Sequence, residues 1–238
     1  MTEKKLPELS VFFPFWNEEK NIEKVVHNAL PVIKQSAKEW ELLLIDDGSS
    51  DKTLEKAKEI ARNIRNVKVI THSPNRGYGS ALKEGFTHSK YKYIVFTDGD
   101  GQFDMQELPK FIEQIRMHDI VIGYRKERKD ELSRHVLMNM LKVWDSIFFR
   151  FYYRDIDCGF KMFKKNAVDQ ISPLRSEGAM ITTEILAKAK ARNLSIAQVA
   201  VSHYPRKHGK QTGANVPVVM RAIFESHILW WDIRNNRF

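Results

Sequence analysis

The sequence has one cysteine, Cys158, in 238 residues. No internal disulfide can form, and a reducing cytoplasm is the expected compartment. It has no run of about 18 uncharged apolar residues, which excludes an integral membrane span. The opening Met1-Thr2-Glu3-Lys4-Lys5-Leu6-Pro7 lacks the apolar core of a secretion signal. No Gly-Lys-Ser/Thr occurs, so a P-loop nucleotidase is excluded. Gly77-Tyr78-Gly79-Ser80-Ala81-Leu82 begins like a dinucleotide fingerprint, but Leu82 stands where the third glycine belongs, and the motif follows the third strand rather than the first. His203 and His208 with a single cysteine do not make a zinc site. Internal repeats and low-complexity tracts are also missing.

What is present describes a globular chain of one large domain, 42% hydrophobic and 29% charged, with a net charge of +9. That charge calls for an anionic partner, which nucleic acid, anionic lipid or a phosphorylated small substrate would each satisfy.

Hydrophobic patterning alternates strands and helices along the first half. Strands are expected at Leu9 to Phe15, Trp40 to Ile45, Val67 to Thr71, Tyr91 to Thr97 and Asp119 to Gly123. Helices are expected after Asn17, a candidate cap, then over Leu54 to Ile64, from about Ser80, and over Gln106 to Met117. Pro31 should kink or shorten the first helix. Repeated βα units imply a mostly parallel sheet with helices on both faces. After Gly123 a charged linker, Tyr124 to Asp130, marks a subdomain boundary within one domain (1–238). It separates a half spanning 8–124 from a half spanning 125–238. In the second half, Gly159 to Phe163 and Ser195 to Tyr204 read as strands, and Thr183 to Arg192 and Val216 to Ile233 as helices.

The chemistry concentrates at Thr97-Asp98-Gly99-Asp100-Gly101-Gln102. Side chains two apart on an extended chain point the same way, so Asp98 and Asp100 can converge on one hard cation. Gly99 and Gly101 leave room for a bulky polyphosphate. A calcium loop beginning at Asp98 fails twice, with Phe103 where glycine and Pro109 where glutamate are required. A plain turn remains open on this segment alone. Two further strand ends are similarly polar: Pro14-Phe15-Trp16-Asn17-Glu18 and Asp46-Asp47-Gly48-Ser49. Carboxyl ends of parallel strands are where open α/β sheets bind ligands, so the three would face one crevice. An acidic crevice receiving an anionic diphosphate requires a divalent cation and arginine or lysine from elsewhere. Clustered carboxylates would repel a nucleic acid backbone, which argues against that partner.

In this order, Phe13-Pro14-Phe15-Trp16-Asn17-Glu18-Glu19, Leu44 to Asp51, Asn75 to Leu82 and Thr97 to Asp100 resemble family 2 glycosyltransferases, which carry the GT-A fold. Asp157-Cys158-Gly159-Phe160-Lys161 and Tyr204 to Thr212 resemble the branch containing dolichol-phosphate mannosyl and glucosyl synthases and bacterial polyprenyl-phosphate glycosyltransferases. The resemblance implies that Pro14, Trp16 and Glu18 hold the nucleoside, with Trp16 in an aromatic place usually filled by tyrosine, and that Asp46 or Asp47 contacts the base. It implies that Asp98 approaches ribose and metal, that Asp100 ligates Mg2+ or Mn2+ directly, and that Gln102 lends an amide oxygen. Arg125, Arg134 and Arg206 match positions that bind phosphates. The chain departs from the pattern at Met138, where phosphate-acceptor enzymes often carry serine.

The implied reaction is an inverting transfer of a sugar from a nucleotide-diphosphosugar to a polyprenyl phosphate, or alternatively to a hydroxyl of a glycan or small molecule. A phosphate monoester, with a second pKa near ~6, is already ionised at neutral pH. A hydroxyl needs a positioned carboxylate, for which Asp157 and Glu184 are the candidates. Aromatics and arginines interleave over Val143 to Arg154, and Trp230-Trp231 lies near the C-terminus. They suit either a helix in a lipid headgroup layer on the cytoplasmic face of a membrane, or packing between the subdomains or against a second copy or membrane-protein partner.

Overall fold

The computed structural model describes residues 5–126, 148–150, 153–209, 216–235 and 237. Seven strands form one sheet: β1 (Leu6–Phe15), β2 (Ala37–Asp46), β3 (Val67–Thr71), β4 (Tyr93–Thr97), β5 (Ile120–Arg125), β6 (Phe160–Lys164) and β7 (Ile196–Val201), in the order β3-β2-β1-β4-β6-β5-β7. The helices are α1 (Ile22–Ser36), α2 (Thr53–Asn63), α3 (Tyr78–His88), α4 (Leu108–Ile115), α5 (Lys165–Ile171), α6 (Ile181–Ala191) and α7 (Val216–Arg234).

Strand alternation sorts the apolar residues onto two faces. Leu9, Val11, Phe13 and Phe15 of β1 lie with Leu42, Leu44 and Val95 under α1 and α4. Phe12 lies with Leu43, Ile45, Ile94 and Phe96 under α3, α5 and α6. On that second face the rings of Phe12, Phe86, Phe96 and Phe163 pack at centroid distances of 5.1 to 6.1 Å.

The mostly parallel sheet matches the expectation, with one strand reversed. β6 runs antiparallel to both β4 and β5. That reversal brings Gly159, at the start of β6, back beside the end of β4. α5 was not expected; its seven residues are too few to carry a clear helical period. Asn17 does not cap α1, which begins at Ile22; Asn17 instead adopts a left-handed φ of 55° in the loop before it. Pro31 does not shorten α1 either. The helix runs through it to Ser36, with Pro31 on the exposed face, where the carbonyl it leaves without an amide partner can reach water.

The aromatic segment divides. Phe149 is buried, Tyr153 packs against the second cluster, and Phe148 meets the rings of His227 and Trp230. On α7, by contrast, Phe224, Ile228 and Trp231 are exposed. Residues 143–147, 151 and 152 lie outside the described residues. Among the described residues, no helix is long and apolar enough to cross a membrane.

Candidate active site

Three adjacent parallel strands, β2, β1 and β4, end at one edge of the sheet. The chain moves from β1 to β2 and β3 on one side and to β4 on the other, so a crevice opens where the connections diverge.

The loops after β1 and β2 are tied into one unit. The Asn17 amide donates to Ser49 Oγ at 3.0 Å and the Ser50 amide to Asn17 Oδ1 at 2.8 Å. The Glu18 amide donates to Thr53 Oγ1 at 2.8 Å. Trp16 stands at the mouth, 41% exposed. Asp47 organises the following loop: its carboxylate accepts from His72 Nε2, Asn75 Nδ2 and the amides of Arg76 and Gly77 at 2.5 to 3.0 Å. Asp46 accepts from Thr71 Oγ1 at 2.9 Å through Oδ2, while its buried Oδ1 has no hydrogen-bond partner. The two aspartates therefore part: one holds the loop, and the other keeps an acceptor free.

Asp98 and Asp100 follow β4. Tyr78, which the motif carries between its two glycines without any sequence signal of a role, donates its hydroxyl to Asp98 Oδ1 at 2.8 Å. On the other side the backbone of Gly159 lies so close that a Cβ there would come within 2.0 Å of Asp98 Oδ2. Burial, then the neighbouring Asp100 carboxylate, push the Asp98 pKa up to about 7 against the pull of Tyr78, Lys161 and Arg125. The expected role of Gly99 needs correction: its missing side chain makes room for the Phe15 ring, which a Cβ would meet at 2.4 Å. A Cβ on Gly101 would make only an ordinary contact, 3.7 Å from Val25 Cγ2, but its φ of 76° is one that glycine adopts without strain.

Arg206 reaches across from the loop after β7. Its guanidinium pairs with Glu18 Oε1 and, at 3.4 Å, with Asp100 Oδ2, while its Nε donates to the His208 carbonyl at 2.8 Å. Burial raises the Glu18 pKa, opposed by Asn21 and Arg206. Gln102 is buried, its side-chain Nε2 donating to the Tyr204 carbonyl at 2.9 Å and its backbone carbonyl accepting the Tyr204 amide at 2.9 Å. Gln102 thus anchors the segment that carries Arg206.

The remaining candidates sit apart from this cluster or in other pairings. Arg125 is bound side-on to the buried Asp155, at 2.6 Å through Nε and 2.9 Å through Nη2. Asp157 lies in the turn before β6, half-buried. Lys161 is fully buried beneath the crevice, its Nζ donating to the Cys158 carbonyl. Glu184 is buried in the first turn of α6; burial alone would raise its pKa, but Lys188 and the amides of Ser176 and Arg175 hold it below the ordinary glutamate range. Pro14 pairs in the sheet with Ile45. Arg134, Met138 and residues 210–212 fall outside the described residues.

Asp98 and Asp100 are hard oxygen donors two residues apart at the end of β4, and the Asp46 acceptor stands at the end of β2, with β1 between them. Among the described residues no three His, Cys, Asp or Glu side chains converge to enclose an ion. Two carboxylates with the remaining positions left to ligand oxygens is how Mg2+ and similar ions are held with phosphates, so the donor set fits a divalent cation shared with a diphosphate.

The model of the glycosyl transferase family 2 domain matches residues 10–171. The chain belongs to glycosyl transferase family 2. Among its curated relatives, the dolichyl-phosphate beta-glucosyltransferase of Saccharomyces cerevisiae is 30% identical over 220 residues, covering 82% of this chain and 66% of the relative. The undecaprenyl-phosphate 4-deoxy-4-formamido-L-arabinose transferase of Proteus mirabilis is 28% identical over 211 residues, covering 87% of this chain and 63% of the relative. This family 2 chain therefore spans less than two thirds of the length of either relative. Its fold is shared with glucosyl-3-phosphoglycerate synthase from Mycobacterium tuberculosis, solved with Mn2+, uridine diphosphate and glucosyl-3-phosphoglycerate. The TM-score is 0.69 at 20% identity, covering 94% of this chain and 80% of that one. The GT-A architecture is thus established for the family 2 chain.

Proposed function

We propose that this protein is an inverting, cation-dependent glycosyltransferase that moves a sugar from a nucleotide-diphosphosugar to a polyprenyl phosphate at a membrane surface. The observation that carries the reading is Arg206 spanning Glu18, after β1, and Asp100, after β4, beside the Asp98 carboxyl that feels the Asp100 charge. The named acceptors of the curated relatives, dolichyl and undecaprenyl phosphates, support the acceptor class, and the Mn2+ and uridine diphosphate of the structural neighbour support the donor class.

Each residue then has a task. Trp16 offers an exposed ring to the base, and the partnerless Asp46 Oδ1 accepts a base N–H. Asp98, aimed by Tyr78, and Asp100 would hold the cation, which would supply Lewis-acid neutralisation of diphosphate charge. Arg206 offsets the remaining charge with its fork of donors. Glu184 does not serve as the base in this reading, because its carboxylate is buried, paired with Lys188 and saturated by two backbone amides. A phosphate acceptor, ionised above ~6, needs no such base, and this favours it over a hydroxyl.

The test is to incubate the protein with labelled nucleotide sugars and short-chain polyprenyl phosphates, with and without Mn2+. Label should enter the organic phase for at least one donor, only with the cation, and with the anomeric configuration opposite to that of the donor. Failure with every donor would overturn the acceptor assignment.

A further inference from the structure

Glu184 and Lys188 lie one helical turn apart on α6, with side chains 2% and 1% exposed and 2.7 Å between them. A buried ion pair is weak evidence for stability in itself, because desolvation offsets its attraction. What distinguishes this pair is its other partners. Both oxygens of Glu184 accept from the Arg175 amide at 2.9 and 3.1 Å, and Oε2 accepts from the Ser176 amide at 2.7 Å. Lys188 Nζ donates to the Pro173 carbonyl at 2.6 Å. The pair therefore grips both donors and an acceptor of the 173–176 backbone, which no apolar replacement could satisfy.

The next carbonyls of that loop press on the start of α3. Glu177 O accepts the Gly79 amide at 2.8 Å. A Cβ on Gly77 would come within 2.7 Å of Glu177 O, and one on Gly79 within 2.6 Å of Ser176 O. The Gly-Tyr-Gly motif is thus shaped by a loop from the second half of the chain, and the residue between the glycines is Tyr78, whose hydroxyl meets Asp98.

We propose that Glu184 and Lys188 are positioning residues for the donor crevice: they fix the 173–177 loop, the loop seats the Gly77-Tyr78-Gly79 turn, and Tyr78 aims Asp98. This rests on the reading of Asp98 as part of the donor site.

The test is a double-mutant cycle on nucleotide affinity, with UDP and GDP as probes in MnCl2, by calorimetry well below the melting temperature. Glu184→Gln and Tyr78→Phe should each weaken binding of the preferred diphosphate about tenfold, and the double variant should be no weaker than the worse single one. In transfer assays the donor KM should rise while the acceptor KM stays unchanged. A lower melting temperature with unchanged affinity, or additive losses in the cycle, would reduce the pair to a structural role and overturn the proposal. Should Glu184→Gln fail to fold, Lys188→Met and Gly79→Ala, which disturb the loop from its other contacts, take its place. Asp98→Asn separates the two levels. If it abolishes binding while the α6 variants do not, only the positioning role fails. If it leaves binding intact, or if wild-type protein binds neither probe, the donor-site reading fails and takes the positioning role with it.

Discussion

Arg206 and Asp100 stand 106 positions apart in the chain and 3.4 Å apart in the fold. The same guanidinium pairs with Glu18, so the loop after β7 is bound to the ends of both β1 and β4. Arg206→Ala leaves two partly buried carboxylates without their cation and removes a diphosphate donor. It should lower kcat/KM by roughly a hundredfold or more, the size of loss that follows removal of one preorganised donor to charge developing in the transition state. Arg206→Lys keeps the charge but loses the fork and should recover only part of that loss. Steady-state kinetics at saturating cation checks both.

Asp100→Asn should abolish the effect of Mn2+ on nucleotide-diphosphate affinity while leaving the protein folded. Asp100 is partly exposed and its neutral isostere keeps the acceptor for the Gln102 amide, so little stability is at stake. Calorimetric titration of UDP and GDP with and without the cation decides it; an unchanged cation effect would remove Asp100 from the site.

The raised Asp98 pKa makes a stability prediction with a definite sign. A carboxyl that keeps its proton up to about 7 in the fold, but loses it near ~3.9 when unfolded, binds more protons in the native state between those values. Its contribution to stability is therefore present at low pH and is lost as pH rises through 7. In chelator, Asp98→Asn should melt higher than wild type at pH 8, and the gap should close towards pH 5. Thermal denaturation of both proteins across that range checks it.

Gly159→Ala tests the close approach behind Asp98. The added methyl would sit 2.0 Å from Asp98 Oδ2, so the carboxylate must move. Overpacking of this kind costs about 1–3 kcal/mol. The expected result is a stability loss in that range together with loss of cation-dependent nucleotide binding, measured by denaturant melts and calorimetry.

Much of this crevice was legible in the sequence, because parallel strands followed by helices must end at one edge, and acidic residues stood at three of those ends. Strand direction was not legible. Phe160 to Lys164 carries no mark of running antiparallel, yet that reversal brings Gly159 to Asp98. Nor does a first-turn glutamate reveal whether it faces solvent, substrate or a loop; Lys188 is its i+4 neighbour on the expected helix, but the amides of residues 175 and 176 reach Glu184 only through the fold. Tyr78 was hidden for a similar reason, since its hydroxyl acts across 20 residues of chain. Asn17 looked like a helix cap by residue type, and the geometry gave it instead to the β2–α2 loop.

The most direct measurement is a comparison of matched acceptors with one labelled nucleotide sugar: a short polyprenyl phosphate and the corresponding polyprenol, for wild type and Asp100→Asn in Mn2+. Transfer to the phosphate alone, lost in Asp100→Asn, is the predicted result. Transfer to the alcohol, or to neither acceptor with any donor, would contradict it.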